Sequence, residues 1–136
     1  MGYKSKVVIS ISKPAMAYCI ATGVVFPSIF QAFFREKLEF NEVFILENTK
    51  WYRSYSEVEA VYTFIDMLND VHDEIPPLKP NDLPHIALMR VGEDPGDVED
   101  TDGAYEHGLF VLQSVDILYK NGLNSYHLEE IEHAST

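Results

Sequence analysis

The sequence predicts a single α+β domain, in which helices pack on one face of a mixed or antiparallel sheet of about four strands. The chain has 136 residues, a length that fits one domain of ordinary size. Hydrophobic residues make up 46% of the chain, enough for a buried core. Strand-like and helix-like segments follow one another in the order β-α-β-α-β-β. We expect the domain to span residues 1–120, and residues 121–136 to form a C-terminal tail or a short helix.

The first part of the chain predicts one strand followed by two helices. Residues 3–11 centre on a run of valine and isoleucine, typical of a strand buried on both faces. Residues 14–24 favour a short helix that ends near Gly23. A second helix is predicted from residue 27 or 28 to about residue 38, because apolar residues recur there at helical spacing: Ile29, Phe30, Phe33 and Phe34. We expect the rings of Phe26, Phe30, Phe33 and Phe34 to lie in the core; without a helix at 14–24, some would instead line an oligomer interface.

The middle of the chain predicts a short buried strand and the clearest helix. Residues 42–47 hold four consecutive apolar residues, which indicates a strand. Residues 56–73 follow helical spacing, and Ser56 and Glu59 match a capping box in which each side chain satisfies a backbone donor of the first turn. The apolar positions of this helix are Val58, Val61, Phe64, Ile65, Leu68 and Val71.

Four prolines between residues 76 and 84 exclude a continuing helix and predict an extended connection. Residues 85–91 and 109–119 are then expected to form two further strands. The connection between them, residues 92–108, is long enough to suggest either a functional loop or local disorder.

Composition excludes several classes of protein. The formal net charge is −12, from 22 acidic and 10 basic residues, which argues against direct nucleic-acid binding and against attraction to anionic membranes. The one cysteine, Cys19, excludes an intrachain disulfide framework and a multi-cysteine zinc site. The apolar run near the N-terminus is interrupted by Lys13 and Pro14, so it fits neither a membrane span nor a signal peptide. We therefore expect a cytoplasmic protein.

The negative charge is concentrated in the middle of the chain. Residues 57–106 carry fourteen acidic residues and two basic ones. On the predicted helix, Glu59, Asp66 and Asp70 share one face with no lysine or arginine to relieve their repulsion. The predicted loop adds Asp97, Asp100 and Asp102. These carboxylates indicate either a solvated face or a surface that attracts a basic partner, and both interpretations stay open.

A second candidate segment precedes the acidic helix and contains the only tryptophan of the chain. Trp, Tyr and Arg are enriched at the energetically dominant positions of protein interfaces. A helix N-terminus also favours anions. The segment therefore predicts a protein contact, a nucleotide-like anion site, or ordinary packing on the sheet. Its candidate binding residues are Lys50, Trp51, Tyr52, Arg53, Tyr55 and Ser56.

No motif predicts catalysis or a metal. Asp100, Asp102 and Gly103 match three positions of a calcium-binding EF-hand loop, but Val98 and Leu109 occupy the positions of two decisive ligands. His85 and His107 have no spacing that demands a metal-dependent hydrolase. The sequence contains no phosphate-binding loop, dinucleotide fingerprint or nucleophile elbow. We therefore expect a protein without enzymatic activity, cofactor or bound metal.

These observations predict an acidic, non-catalytic protein-interaction module. One concrete form is an inhibitor that occupies the basic surface of a nucleic-acid-binding protein by placing carboxylates where phosphates would lie, as small acidic proteins of viruses and mobile elements can do. The alternative is a small-molecule protein that binds a nucleotide-like anion through residues 50–56. Both forms are compatible with a homo-oligomer.

Overall fold

The structure is an antiparallel sheet with helices on one face and a two-stranded hairpin on the other. The computed structural model describes residues 3–78, 82–94, 96–112 and 116–119. In chain order, the elements are β1 (Ser5–Ser12), α1 (Lys13–Thr22), β2 (Phe34–Lys37), β3 (Asn41–Thr49), α2 (Ser56–Asp70), β4 (Ile86–Gly92), β5 (Val98–Asp100), β6 (Leu109–Leu112) and β7 (Asp116–Tyr119). The predicted α+β class, with helices on one face of an antiparallel sheet, is confirmed.

The five main strands lie in the order β2-β3-β1-β4-β5, and every neighbouring pair is antiparallel. The first six elements have the β-α-β-β-α-β order of a split βαβ arrangement, in which β3 inserts between β1 and β2. Strand β1 is central. Its residue Ile9 lies opposite Phe44 on one side and Leu88 on the other.

Alternation along β1 builds two cores, one on each face of the sheet. Val7, Ile9 and Ile11 are fully buried in the cluster that includes α1 and α2, and Val8 is fully buried in the cluster on the hairpin side. A strand with side chains buried on both faces reads as a continuous apolar run, which is why this strand could be predicted from sequence. The hairpin-side cluster also includes Val43, Ala87, Met89, Val91, Ala104, Leu109 and Ile117.

The short helix predicted at residues 14–24 is confirmed as α1. Ser12, the last residue of β1, caps it: the Ser12 hydroxyl accepts a hydrogen bond from the Ala15 backbone N–H at 3.2 Å. Pro14 in the first turn loses no helical hydrogen bond. The helix ends at Gly23, whose φ of 71° lies in the left-handed region that glycine adopts without strain.

The helix predicted over residues 27–38 is wrong. Residues Ser28–Ala32 form one 3₁₀ turn, Phe33 is extended, and the chain then enters β2. Pairing with β3, in which Phe34 lies opposite Ile45, outweighs the local helical spacing. Phe33 is buried towards the helices, whereas Phe34 on the other face is 66% exposed.

The helix predicted from residue 56 is confirmed, but its capping box is wrong. Tyr55 occupies the N-cap position without a side-chain cap, and the Ser56 hydroxyl contacts the Glu57 carboxylate at 3.3 Å. Helix α2 ends at Asp70, and a 3₁₀ turn at His72–Glu74 follows. The predicted apolar face is confirmed, since five of its six residues are buried and Val71 is half-buried.

The C-terminal part holds more strands than predicted. Strand β5 lies inside the expected loop 92–108 and pairs with β4. The strand expected at 109–119 is divided into β6 and β7, which pair as a hairpin. The predicted tail, residues 121–136, lies outside the described residues. Within the described ranges, no helix is both long enough and apolar enough to cross a membrane.

A pair of matched substitutions tests the central position of β1. Val8→Ala removes two buried methyl groups from a fully buried site, so we expect a loss of unfolding free energy of about 2 kcal/mol or more. Val98→Ala makes the same change on edge strand β5, where the side chain is 37% exposed, and should cost less than about 1 kcal/mol. Urea denaturation measures both values, and equal losses would contradict this assignment of the core.

Candidate interaction surface

The segment that precedes α2 is divided between core and surface. Trp51 is 6% exposed and packs in the helix-side core, where its ring lies edge-on to Phe33 at 6.4 Å. The indole N–H donates a hydrogen bond to the Tyr62 hydroxyl at 3.0 Å. Of the three interpretations of this segment, the geometry of Trp51 fits packing. Its indole is not on the surface as a contact anchor would be.

Arg53 lies on the outside of Tyr62 and shields it from solvent. The guanidinium carbon is 3.6 Å from the centre of the Tyr62 ring, within the range of a cation–π contact. Its Nε atom also lies 3.5 Å from a Glu59 carboxylate oxygen. The charge of Arg53 is thus directed at this protein's own side chains. Lys50, Tyr55 and Ser56 remain exposed.

Tyr62 joins α2 to strand β5. Its hydroxyl donates a hydrogen bond to Glu99 at 2.6 Å while accepting the one from Trp51. Burial and the neighbouring Glu99 carboxylate raise the pKa of Tyr62 to about 12, so the phenol stays protonated and continues to donate at neutral pH. Sequence reasoning placed Tyr62 in neither the core nor the site, because it falls between the apolar positions of the helix.

Arg90 on β4 neutralises two carboxylates of the acidic segment. It contacts Asp97 through two nitrogens, at 2.7 and 3.2 Å, and Glu99 through Nε at 3.2 Å. The Tyr3 hydroxyl adds a hydrogen bond to Asp97 at 2.6 Å. The bond from Arg90, followed by that from Tyr3, lowers the pKa of Asp97 below its usual value. Asp97 was expected to face a partner, but the structure places it in an internal ion pair.

The predicted aromatic residue Tyr52 belongs to the same structural group. Its hydroxyl accepts a hydrogen bond from the Tyr3 backbone N–H at 2.7 Å, and its ring lies edge-on to Tyr55 at 5.2 Å. Tyr52 is half-buried, whereas Tyr55 is 39% exposed. Tyr55 is therefore the aromatic side chain of the predicted segment that stands most clearly on the surface.

The acidic face of α2 is solvent-exposed along its length. Glu59, Asp66 and Asp70 are all exposed, and the last turn of the helix holds no basic residue. Within the part of the chain that the structure describes, Arg53 pairs with Glu59, and neither Asp66 nor Asp70 has an ion pair. The structure thus brings together the predicted acidic residues of α2 on one face.

Asp100 and Asp102 are exposed near β5 and do not form a calcium loop. Asp100 ends β5 and lies opposite Met89, so its backbone is part of the sheet. Among residues 3–78, 82–94, 96–112 and 116–119, no group of three or more His, Cys, Asp or Glu side chains is arranged to hold a metal ion.

A buried polar row on the hairpin side of the sheet was missed by sequence reasoning. Ser10 and Ser12 on β1 are fully buried, and each contacts a histidine: Ser10 Oγ lies 2.8 Å from Nδ1 of His107, and Ser12 Oγ lies 2.7 Å from Nδ1 of His85. The side-chain amide of Asn41 donates to Ser10 at 2.7 Å. Alternating serines within an apolar strand were the one sequence signal of this row.

The tautomer of His107 follows from its partners. Its Nε2 atom lies 2.7 Å from the Pro84 carbonyl, which only accepts, so Nε2 carries the proton and Nδ1 accepts from the Ser10 hydroxyl. Burial lowers the pKa of His107 below its usual value. The serine–histidine contact is enclosed within the core, where no substrate reaches it, and we assign it a structural role.

His85 is the more strongly perturbed of the two histidines. It is 1% exposed, and its ring centre is 5.0 Å from that of His72. Burial, followed by the nearby His72 and His107, lowers its pKa to about 4. Within the described residues, its Nε2 atom has no hydrogen-bond partner, so a proton added there would be buried without an acceptor.

No protein-family model, no curated protein and no solved structure matches this chain.

Protonation of His85 is expected to destabilise the fold in acid. Its pKa is about 4 in the folded protein and about 6.5 when unfolded, so between these values the unfolded state binds the proton more tightly. Stability is therefore highest above pH 6.5 and falls towards pH 4, by roughly 3 kcal/mol from this group. Urea denaturation from pH 7 to pH 4 measures the decline.

The His85→Gln variant identifies the group responsible. It cannot titrate, so its unfolding free energy should fall less steeply over the same pH range, although its stability at pH 7 is lower. The same slope in both proteins would show that another group causes the acid sensitivity.

The Tyr62 hydroxyl is expected to stabilise the fold. Tyr62→Phe leaves the buried Trp51 indole N–H unpaired and removes the bond to Glu99, so we expect a loss of about 1–3 kcal/mol. Tyr55→Phe makes the same chemical change at an exposed position and should stay within about 0.5 kcal/mol of wild type. If chemical denaturation finds the Tyr62→Phe variant as stable as wild type, this network contributes nothing.

Proposed function

We propose that the protein is a non-catalytic interaction module whose acidic surface binds a basic surface of a partner protein. The observation that carries this proposal is the exposed face of α2, where Asp66 and Asp70 have no ion pair among the described residues. A basic partner would complete these pairs and be attracted over a distance. The single cysteine is buried and unpaired, which fits action in the reducing cytoplasm.

The position of these acids within the helix supports a role beyond solubility. Acidic residues stabilise a helix near its N-terminus, as Glu57 and Glu59 do, but destabilise it near the C-terminus. Asp70 is the last residue of α2, and Asp66 lies one turn before it. Carboxylates at this end reduce the stability of the isolated fold. Solubility needs net charge but not charge at this end of a helix, whereas binding of a basic partner along α2 needs the carboxylates at these positions.

The proposed contact surface runs along α2 from Tyr55 to Asp70. Tyr55 supplies an exposed aromatic ring beside the acidic face, the role that sequence reasoning gave to Trp51. Asp100 is not part of this surface, because it lies opposite Met89 of the hairpin-side core and its side chain is therefore on the face of the sheet away from α2. The carboxylates of the proposed contact are those of α2. In the more specific form of the proposal, the partner binds nucleic acid, and these carboxylates lie where its phosphates would lie.

The alternative of a nucleotide-like anion site at residues 50–56 has less support. Glu57 and Glu59 in the first turn of α2 already oppose the positive end of the helix dipole and would repel an anion. Arg53 is directed at Tyr62 and Glu59. Of the predicted anion-binding residues Lys50, Arg53 and Ser56, only Lys50 and Ser56 are then left exposed for an anion.

The test compares two double variants that each remove two negative charges. Asp66→Asn with Asp70→Asn alters the proposed surface, and Glu39→Gln with Glu47→Gln alters exposed carboxylates elsewhere on the molecule. Full-length proteins serve as bait in host lysate at low and high salt. We expect a basic protein to be retained at low salt by wild type and the Glu39/Glu47 variant, released at high salt, and retained at least fivefold less by the Asp66/Asp70 variant.

Stability and competition measurements complete the test. The unfolding free energy of the Asp66/Asp70 variant should equal that of wild type or exceed it by up to about 1 kcal/mol. Weaker binding by this variant then cannot be ascribed to unfolding. If the retained protein binds nucleic acid, duplex DNA should displace it from the bait. Equal retention by both variants would refute the proposed surface, and binding that is insensitive to salt would refute its electrostatic basis.

A further inference from the structure

Residues 14–34 contain no charged residue, in a chain where 32 of 136 residues are acidic or basic. This uncharged segment includes α1 after its first residue (Lys13), the connection after Gly23, the 3₁₀ turn and the start of β2. Sixteen of its 21 residues keep part of their surface accessible. The segment therefore forms a wide area of surface without charge, on a protein whose net charge is −12.

After its first residue, Lys13, helix α1 is almost entirely apolar around its circumference, with Tyr18 and Thr22 as the polar exceptions. Its inner residues Met16 and Cys19 are buried in the core, yet its outer side presents Ala17, Ile20 and Ala21 to solvent, with Ile20 73% exposed. A helix that faces water normally carries polar or charged residues on its outer side, as α2 does. An all-apolar helix is typical of an element that is covered on both sides.

An apolar groove adjoins the exposed end of α1. Its volume is about 460 Å³, and its walls are formed largely by Met16, Phe26, Phe30, Phe33 and Phe44. Arg35 also lines the groove, and its guanidinium is paired with the Glu42 carboxylate. Val25 stands at this groove and is 89% exposed, more than any other large apolar side chain among the described residues. A protruding valine and a groove of aromatic rings thus lie side by side.

We infer that a second copy of this chain covers the uncharged segment, as a two-fold symmetric dimer. A two-fold interface brings the same patch of both copies together, so a charged patch would place like charges opposite each other. Residues 14–34 carry no charge, Arg35 at the groove is paired with Glu42, and the acidic residues of α2 lie outside the segment. A two-fold axis beside the groove places Val25 of each copy in the groove of the other.

The size of the segment fits this occupant. A stable interface of standard size uses about 20–30 residues from each partner. Fifteen of the sixteen accessible residues, all except Phe34 on the other face of the sheet, supply at least half of one side. Residues 14–34 offer no carboxylate to the basic partner proposed for α2, so the uncharged segment and α2 bind different occupants. The inference therefore does not depend on the proposed function.

Added salt should strengthen this dimer, whereas it should weaken the binding of a basic partner. Two copies with a net charge of −12 each repel at long range, and residues 14–34 supply no charged side chain that could form an ion pair between the copies. Added salt screens the repulsion, because the Debye length falls from about 10 Å at 0.1 M to about 3 Å at 1 M. Self-association should therefore strengthen as salt is raised.

Sedimentation equilibrium of the full chain, from 1 to about 500 µM at low and high salt, tests the inference. We expect a monomer–dimer equilibrium whose dissociation constant decreases with salt. Val25→Asp should raise that constant at least tenfold. Val98→Asp adds the same charge at an exposed valine on β5, outside the segment, and should change it less than threefold. Circular dichroism confirms that both variants fold.

Three results would overturn the inference: a wild-type protein that stays monomeric throughout this range, equal weakening by both variants, or a dimer that dissociates as salt is raised. The first would show that the groove is not covered by a second copy, and the last would place the contact on a charged surface. None of these results bears on retention of a basic partner by α2, so the two proposals fail independently.

Discussion

Burial of β1 on both of its faces is the constraint on which the rest of the structure depends. A central strand exposes neither its backbone nor its side chains, so both must be satisfied by other elements. Strands β3 and β4 satisfy the backbone, and the two apolar clusters cover the side chains. The serines of the same strand then need polar partners within the core. His85 and His107 are these partners. Their contacts attach the residues just before β4 and the turn after β5 to strand β1.

Internal pairing divides the acidic residues of the chain into two groups. Arg90 engages Asp97 and Glu99, so part of the negative charge in the middle of the sequence stabilises the edge of the sheet. On α2, Glu59 contacts Arg53, whereas Asp66 and Asp70 have no ion pair within the described residues. A count of charges along the chain cannot separate these groups, because the distinction depends on which carboxylates β4 and β5 bring beside Arg90.

The local sequence pattern was sufficient to predict those elements in which tertiary packing agrees with the segment's own preference for helix or strand. β1 is a continuous apolar run, α1 has a proline at its start and a glycine at its end, and α2 has a clear apolar period; all three were predicted. Residues 28–37 were not, because pairing of Phe34 with Ile45 depends on a strand eleven residues away. The buried polar row could not be predicted for the same reason. Its members come from β1, the start of β3, the approach to β4 and the turn before β6, which only the folded topology brings together.

The charge pattern of edge strand β2 also bears on where two copies could meet. Antiparallel pairing across a two-fold axis places residues of the same face opposite each other, so the residue on the axis meets its own copy. With the axis at Arg35, Glu36 or Lys37, that residue opposes an identical charge, and the axis at Glu36 also sets Arg35 against Lys37 of the other copy. Such an edge resists extension of the sheet by self-pairing. The uncharged surface of α1 has no such barrier. The sequence thus opposes association at the sheet edge while leaving it open at the helix layer.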